Sequence, residues 1–150
     1  LSAEPVGLEI TGFGSTVLPA SRDQIRWHIG GNGFLMWLDG AVPGTIARGL
    51  STRLGAMLPG CDAAAVDIWA IHPGGRSILD AAQEALAVAD HQLTASRSVL
   101  RDFGNMSSAT VMFVLRRILA QGDAGRTGCA LSFGPGLSAE AMLFRVRGRA

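Results

Sequence analysis

The sequence predicts a single α/β domain, a mixed sheet covered by helices with an added β-hairpin, and three observations carry that prediction. A short, almost wholly apolar run from Val66 to Ile71 ends at His72 and turns through Pro73-Gly74-Gly75 into a helical pattern. That is the form of a buried central strand that delivers a residue at its carboxyl end. Strand-like segments lie on both sides of this unit, and a strongly amphipathic helix precedes it. At 150 residues the chain suits one well-packed domain, because two would each be unusually small.

Taken in order, Gly7 to Val17 mixes β-branched residues with glycine and reads as a strand with a loose end. Gln24 to Ile29 and Gly33 to Leu38 read as two short strands around Gly30-Gly31-Asn32-Gly33, whose Asn-Gly signals a hairpin laid on the side of the domain. Trp27, Phe34, Met36 and Trp37 alternate there as core residues do, as does Trp69 in its own strand. Val42-Pro43-Gly44 closes the hairpin unit, and Ile46, Leu50, Leu54 and Leu58 then repeat at four-residue spacing until Pro59-Gly60 stops the helix. Ile78, Leu79, Ala82 and Leu86 mark a second helix, and Ser96 to Phe103 a third, with Val99, Leu100 and Phe103 inward and Gly104 at its C-cap. Ser107 and Ser108 are suited to cap a fourth helix, expected to be buried at Val111 to Leu115 and wet from Arg116 onward. Gly128 to Phe133 and Ala139 to Val146, joined by Gly134-Pro135-Gly136, read as a closing antiparallel pair at the sheet edge.

Composition excludes several classes of function. Apolar residues make up 48% of the chain and charged residues 17%, so it is rich in core-forming residues. The net charge is +1 and the basic residues are scattered, which argues against nucleic acid as a partner. No apolar run approaches the length of a membrane span, and no charged n-region with an apolar h-region is present. Cys61 and Cys129 stand far apart without metal-ligand spacing, so neither a zinc site nor a disulfide framework is signalled, and a reduced, cytoplasmic setting is expected. The chain begins at Leu1 and runs through Glu4-Pro5 straight into a strand, as expected of a piece of something longer.

Two motifs stand out for chemistry. His72 leaves a buried strand into Pro-Gly-Gly, where the glycines leave room for a ligand; alone it reads equally well as a turn histidine. About thirty residues on, Asn105 lies between Gly104 and a serine-capped helix start, where oxyanions are stabilised; alone it reads as a turn asparagine. Together they form a pair suited to gripping a carbonyl oxygen, with no nucleophile beside them. His28 and His91 have no paired carboxylate or cysteine nearby and are assigned no role. Cys61 and Cys129 lack the cationic neighbour or helix start that a reactive thiolate needs, and both read as structural.

Ile71-His72-Pro73-Gly74-Gly75, Phe103-Gly104-Asn105-Met106-Ser107-Ser108-Ala109 and Phe133-Gly134-Pro135-Gly136-Leu137, in that order, closely resemble the C-terminal half of type III polyketide synthases, the chalcone and stilbene synthase family. Leu38 to Gly44 also looks like the family's strand and turn, so the resemblance covers almost the whole chain. Ketoacyl-carrier-protein synthases of the initiating type share the fold but would be expected to show His-Gln-Ala-Asn, Gly-Asn-Thr-Ser and a Gly-Gly-Gly loop at these places. A non-catalytic thiolase-like half that only packs against a partner, with the motifs kept as turns, is the third reading.

The resemblance implies a thiolase-like fold of two αβαβα halves assembled as a homodimer, this chain being the C-terminal half and the N-terminal half with its nucleophilic cysteine lying outside it. It implies a decarboxylative Claisen condensation, with acyl-CoA and malonyl-CoA as substrates and no cofactor beyond these coenzyme A thioesters. In that family an acylated cysteine on the first half carries the starter, and the residues matching His72 and Asn105 bind the malonyl thioester carbonyl. The histidine also stabilises the cysteine thiolate. Phe133, Gly134, Pro135 and Gly136 match the loop that shapes the cyclisation pocket; Gly75 and Ser77 match positions near the pantetheine arm; Ser107 lies near the elongation cavity; Met36 falls near a gate position. Trp27 and Ser132 stand where the plant enzymes have glycine, as in a bacterial member with a differently shaped pocket. Neither Cys61 nor Cys129 has the context of the acylated cysteine, so this chain by itself is expected not to condense anything.

Overall fold

The computed structural model describes residues 6–122 and 124–148. Glu4 and Pro5, at the expected entry to the first strand, lie outside the described residues. The elements are strands β1 (Gly7–Val17), β2 (Ile25–Gly30) and β3 (Gly33–Leu38), helix α1 (Val42–Met57), strand β4 (Ile68–Ile71), helices α2 (Arg76–Leu86), α3 (Thr94–Phe103) and α4 (Thr110–Gln121), and strands β5 (Thr127–Gly134) and β6 (Ser138–Arg147). Four strands form one sheet in the order β1-β6-β5-β4, and β2-β3 is a separate two-stranded sheet. Only β4 and β5 are parallel; β5-β6 and β6-β1 are antiparallel. Among the described residues no helix is long and apolar enough to cross a membrane.

The mixed sheet is buried on both faces because its strands alternate between two cores. Trp69 and Ile71 of β4 and Cys129 and Leu131 of β5 join Ile46, Leu50 and Leu54 of α1 and Leu79, Ala82 and Leu86 of α2 on one side. Ile68, Ala70 and Ala130 point the other way, onto Ala95 and Val99 of α3 and Val114, Leu115 and Ile118 of α4. Two-sided burial is why the β4 segment carries no polar alternation. Phe144 of β6 lies directly across from Gly128, and its ring occupies the space a Cβ there would take.

Several expectations are corrected. β4 is an edge strand of this sheet, while β5 and β6, expected at the edge, are its two middle strands. Burial of both faces reports the helices above and below and not the number of strand neighbours. α1 begins at Val42 with Pro43 in its first turn, where a missing N–H has no consequence, so Val42-Pro43-Gly44 opens the helix. The hairpin turn is Gly31-Asn32, because Gly30 pairs with Gly33. Every residue of β3 is exposed, Phe34 by 69% and Trp37 by 60%, and Trp27 is half exposed, so these aromatics are not core; only Trp69 is. A two-stranded ribbon has two faces, and β2 meets the domain chiefly at the Pro135–Leu137 turn. Phe103 is exposed as well, and α4 buries one stripe along its length, Thr110, Val114, Leu115 and Ile118, while Met112 near its start is in solvent.

Gly14 of β1 lies against the end of α1, where a Cβ would run into the Met57 carbonyl. Gly14→Ala therefore separates strand from helix, and a destabilisation of about 3 kcal/mol is expected in urea unfolding, near the upper end for overpacking. An unchanged midpoint would show that the helix end yields freely.

Candidate active site

The site is built at the carboxyl end of the parallel pair. The β4–β5 ladder runs from Ile68 opposite Gly128 to Ile71 opposite Leu131, and His72 N donates to Leu131 O at 2.7 Å, extending the pairing one residue past β4. This holds His72 alongside the residues that lead into Phe133. Gly74 N then donates to His72 O at 2.9 Å, folding Pro73 into a tight turn, and Gly75 is the N-cap of α2. The Cδ2–Nε2 edge of the imidazole lies beside Gly74, within ordinary contact distance of where a Cβ there would stand. His72 is partly buried, with no hydrogen-bond partner for its ring among the described residues, and desolvation lowers its pKa from 6.5. Its neutral form prevails near neutral pH, with one ring nitrogen a donor.

Asn105 arrives from the α3–α4 corner and docks on the same turn. Its Nδ2 donates to Gly74 O at 3.1 Å, and its Oδ1 accepts from Ser107 N at 2.9 Å. With Oδ1 and one amide hydrogen engaged, the second hydrogen of the exposed side chain is free for a ligand oxygen. Asn105 itself is not in the left-handed region; Gly104 (φ 71°) and Ser107 (φ 58°) are. The expected serine caps do not form: the helix start is preceded by a short 3-10 turn, Ser107–Ala109, and the side chain that accepts from its first N–H is Asn105.

Thr110, which the sequence reading does not single out, closes this corner. Its buried hydroxyl accepts from Met106 N and donates to Ser107 O, both at 2.8 Å. The signal in the sequence is a hydroxyl residue three places after Ser107, at the helix start, where such side chains bond to the backbone. Around it, Arg117 Nη1 reaches Asp102 Oδ2 at 3.0 Å and its guanidinium lies 5.9 Å from the Phe103 ring centre, while Phe103 meets Phe113 at 5.2 Å. Hydrogen bonds from Arg101 and Arg117 hold the Asp102 carboxyl below the usual carboxylate range.

The remaining candidates are spread over the β5–β6 turn, the start of α2, the Asn105 corner and the hairpin. Phe133, the last residue but one of β5, is half-buried against the α1–α2 core, Gly134 pairs with Ser138, and Pro135–Leu137 makes the turn into β6 with Gly136 at φ 74°. That turn is anchored by Leu18 N donating to Leu137 O at 3.2 Å. Ser77 is exposed in the first turn of α2, and Ser107 is exposed beside Asn105. Met36 lies instead on the exposed face of the hairpin, opposite Trp27. The thiols are unsuited to attack: burial raises Cys129 to about 12, and burial, then the Asp62 charge, raises Cys61.

Residues 9–147 match the model of the C-terminal domain of chalcone and stilbene synthases. This chain belongs to that family. It is 33% identical over 148 residues to the alpha-pyrone synthesis polyketide synthase-like Pks18 of Mycobacterium tuberculosis, covering 95% of this chain and 38% of that protein. The crystal structure of 1,3,6,8-tetrahydroxynaphthalene synthase from Streptomyces coelicolor, a bacterial type III polyketide synthase, superimposes with a TM-score of 0.86 at 33% identity, covering 96% of this chain and 42% of that one. PKS-I from the brown alga Ectocarpus siliculosus gives a TM-score of 0.84 at 36% identity, covering 93% and 39%. The chain thus corresponds to the C-terminal domain of a type III polyketide synthase and to that portion of its thiolase-like fold, and spans less than half the length of these relatives.

The lowered His72 pKa has a consequence for stability within this chalcone and stilbene synthase domain. The unfolded chain binds a proton at 6.5 more readily than the folded one, so the stability tied to neutral His72 is present above that pH and is lost as pH falls through the folded-state value. Thermal melts of His72→Gln are expected to change less than wild type between about pH 7.5 and about pH 5. Parallel curves for the two proteins would refute this.

Proposed function

We propose that this domain supplies the carbonyl-activating half of a type III polyketide synthase, which extends a CoA-derived starter by decarboxylative Claisen condensation with malonyl-CoA. The observation that carries the reading is the hydrogen bond from Asn105 Nδ2 to Gly74 O, which joins two motifs about thirty residues apart into one site beside His72. The free amide hydrogen of Asn105 and the N–H of neutral His72 are donors to the malonyl thioester oxygen. When the malonyl carboxylate leaves as carbon dioxide, the electrons of the broken C–C bond move into the thioester, and its oxygen becomes the enolate oxygen those donors stabilise. The enolate carbon then attacks an acyl group held as a cysteine thioester, forming the new C–C bond and expelling the cysteine thiolate. An anionic sulfur beside His72 raises the imidazole pKa and favours its protonated form, which then stabilises the thiolate.

The nucleophile belongs to the N-terminal half of the synthase. We assign coenzyme A thioesters as substrates with no further cofactor, a homodimer as the assembly and the cytoplasm as the setting. Gly75 and Ser77 border the path of the pantetheine arm; Ser107, Met36 and the Phe133, Gly134, Pro135 and Gly136 segment border the growing chain. Asn105→Ala in the complete synthase is expected to lower malonyl-CoA decarboxylation about 10²- to 10³-fold, the effect of losing one oxyanion donor. Unchanged turnover would return His72 and Asn105 to the role of structural turns. The 150-residue chain alone, given acyl-CoA and malonyl-CoA, is expected to yield no polyketide by mass spectrometry, and any condensation product would overturn that assignment.

A further inference from the structure

We propose that Thr110 is a positioning residue that sets the orientation of the Asn105 amide, an inference that rests on the reading of Asn105 as an oxygen donor. Thr110 is fully buried at the start of α4, and its hydroxyl makes two bonds to the same short segment, accepting from Met106 N and donating to Ser107 O. These bonds bracket Ser107, whose φ of 58° is a conformation that a side-chain-bearing residue keeps only where its neighbours over-determine it. In that conformation the Ser107 N–H points back at Asn105 Oδ1. Which end of an amide faces which partner is decided by such bonds. With Oδ1 committed to Ser107, Nδ2 is turned toward Gly74 O and leaves one hydrogen for a ligand. The path thus runs from the Thr110 hydroxyl, through the Ser107 backbone, to the Asn105 amide.

A hydroxyl that merely started the helix would stabilise α4 and leave the chemistry alone. The two roles separate in the complete synthase. Thr110→Val keeps the side-chain shape and removes both bonds; it is expected to lower kcat for malonyl-CoA decarboxylation about tenfold, with KM changed less than about twofold, because misplacing a group matters in the transition state. Thr110→Ser restores the hydroxyl and is expected to recover kcat to within about twofold of wild type. In an Asn105→Ala background, Thr110→Val is expected to add no further loss, the mark of a residue acting through another. If Thr110→Val does not fold, Thr110→Ala makes the same comparison. A wild-type kcat for Thr110→Val (or Thr110→Ala) while Asn105→Ala is impaired overturns the positioning role alone. An equal loss in the Asn105→Ala background, or no recovery with Thr110→Ser, does the same. Wild-type turnover of Asn105→Ala overturns the reading of Asn105 and the positioning role with it.

Discussion

Parallel pairing of β4 with β5 is the constraint on which the rest of the arrangement depends. Parallel neighbours need a long crossover, because the chain must return to the starting end of the sheet before the second strand can form. Here that crossover is α2, α3 and α4, and it covers the sheet on both sides: α2 joins α1 over Trp69 and Ile71, and α3 and α4 pack over Ile68 and Ala70. The same pairing puts the carboxyl ends of both strands at one end of the sheet, where ligand sites of α/β sheets collect. His72 follows β4 and Phe133 lies near the end of β5, held in step by the bond from His72 N to Leu131 O. The α3–α4 corner then lands on the His72 turn, and Asn105 closes the circuit through Gly74.

The bonds that hold this corner differ in kind from those that hold the domain. The angle between α3 and α4 is set by Val99, Val114 and Ile118, all fully buried, and by the close packing that such side chains require. The Arg117 to Asp102 pair beside the corner is partly exposed, and such surface pairs, screened by solvent, contribute little to stability. Thr110 is different. Its hydroxyl is sealed from water, and removing it leaves Met106 N without that acceptor, while Ser107 O keeps only the bond from the Thr110 backbone N–H. A corner that is exposed at Asn105 and sealed at Thr110 can offer a polar side chain to a ligand without letting its backbone wander.

Much of this was legible in the sequence because local rules and tertiary demands agree. The spacing of Ile46, Leu50 and Leu54 marks α1, the apolar run marks β4, and the glycine-bearing His72 and Asn105 motifs mark the two loops that meet through Gly74. The reading failed where burial depends on what lies across a surface. Phe34, Met36 and Trp37 have core-like composition in a ribbon whose faces this domain leaves open, and Phe103 has a helical inward position yet stays half exposed beside Phe113 and Arg117. Strand order failed for a related reason, since an apolar run reports covered faces and is silent about edges. Thr110 escaped because a threonine at a helix start looks ordinary until its hydrogen bonds connect it to Asn105.

The choice of donors bears on how the proposed chemistry gains its selectivity. A lysine or arginine in place of His72 would attract the malonyl carboxylate before carbon dioxide leaves, and an interaction of equal strength in ground and transition states does not raise kcat. A neutral imidazole and a primary amide interact weakly with the uncharged thioester oxygen and strongly once that oxygen carries charge. Burial of His72 favours this neutral form, and the two bonds that fix Asn105 remove the reorientation an amide in water would need at the moment charge appears. The desolvation that lowers the histidine pKa and the hydrogen bonds that fix the asparagine therefore act in the same direction, toward donors whose interaction grows as the reaction proceeds.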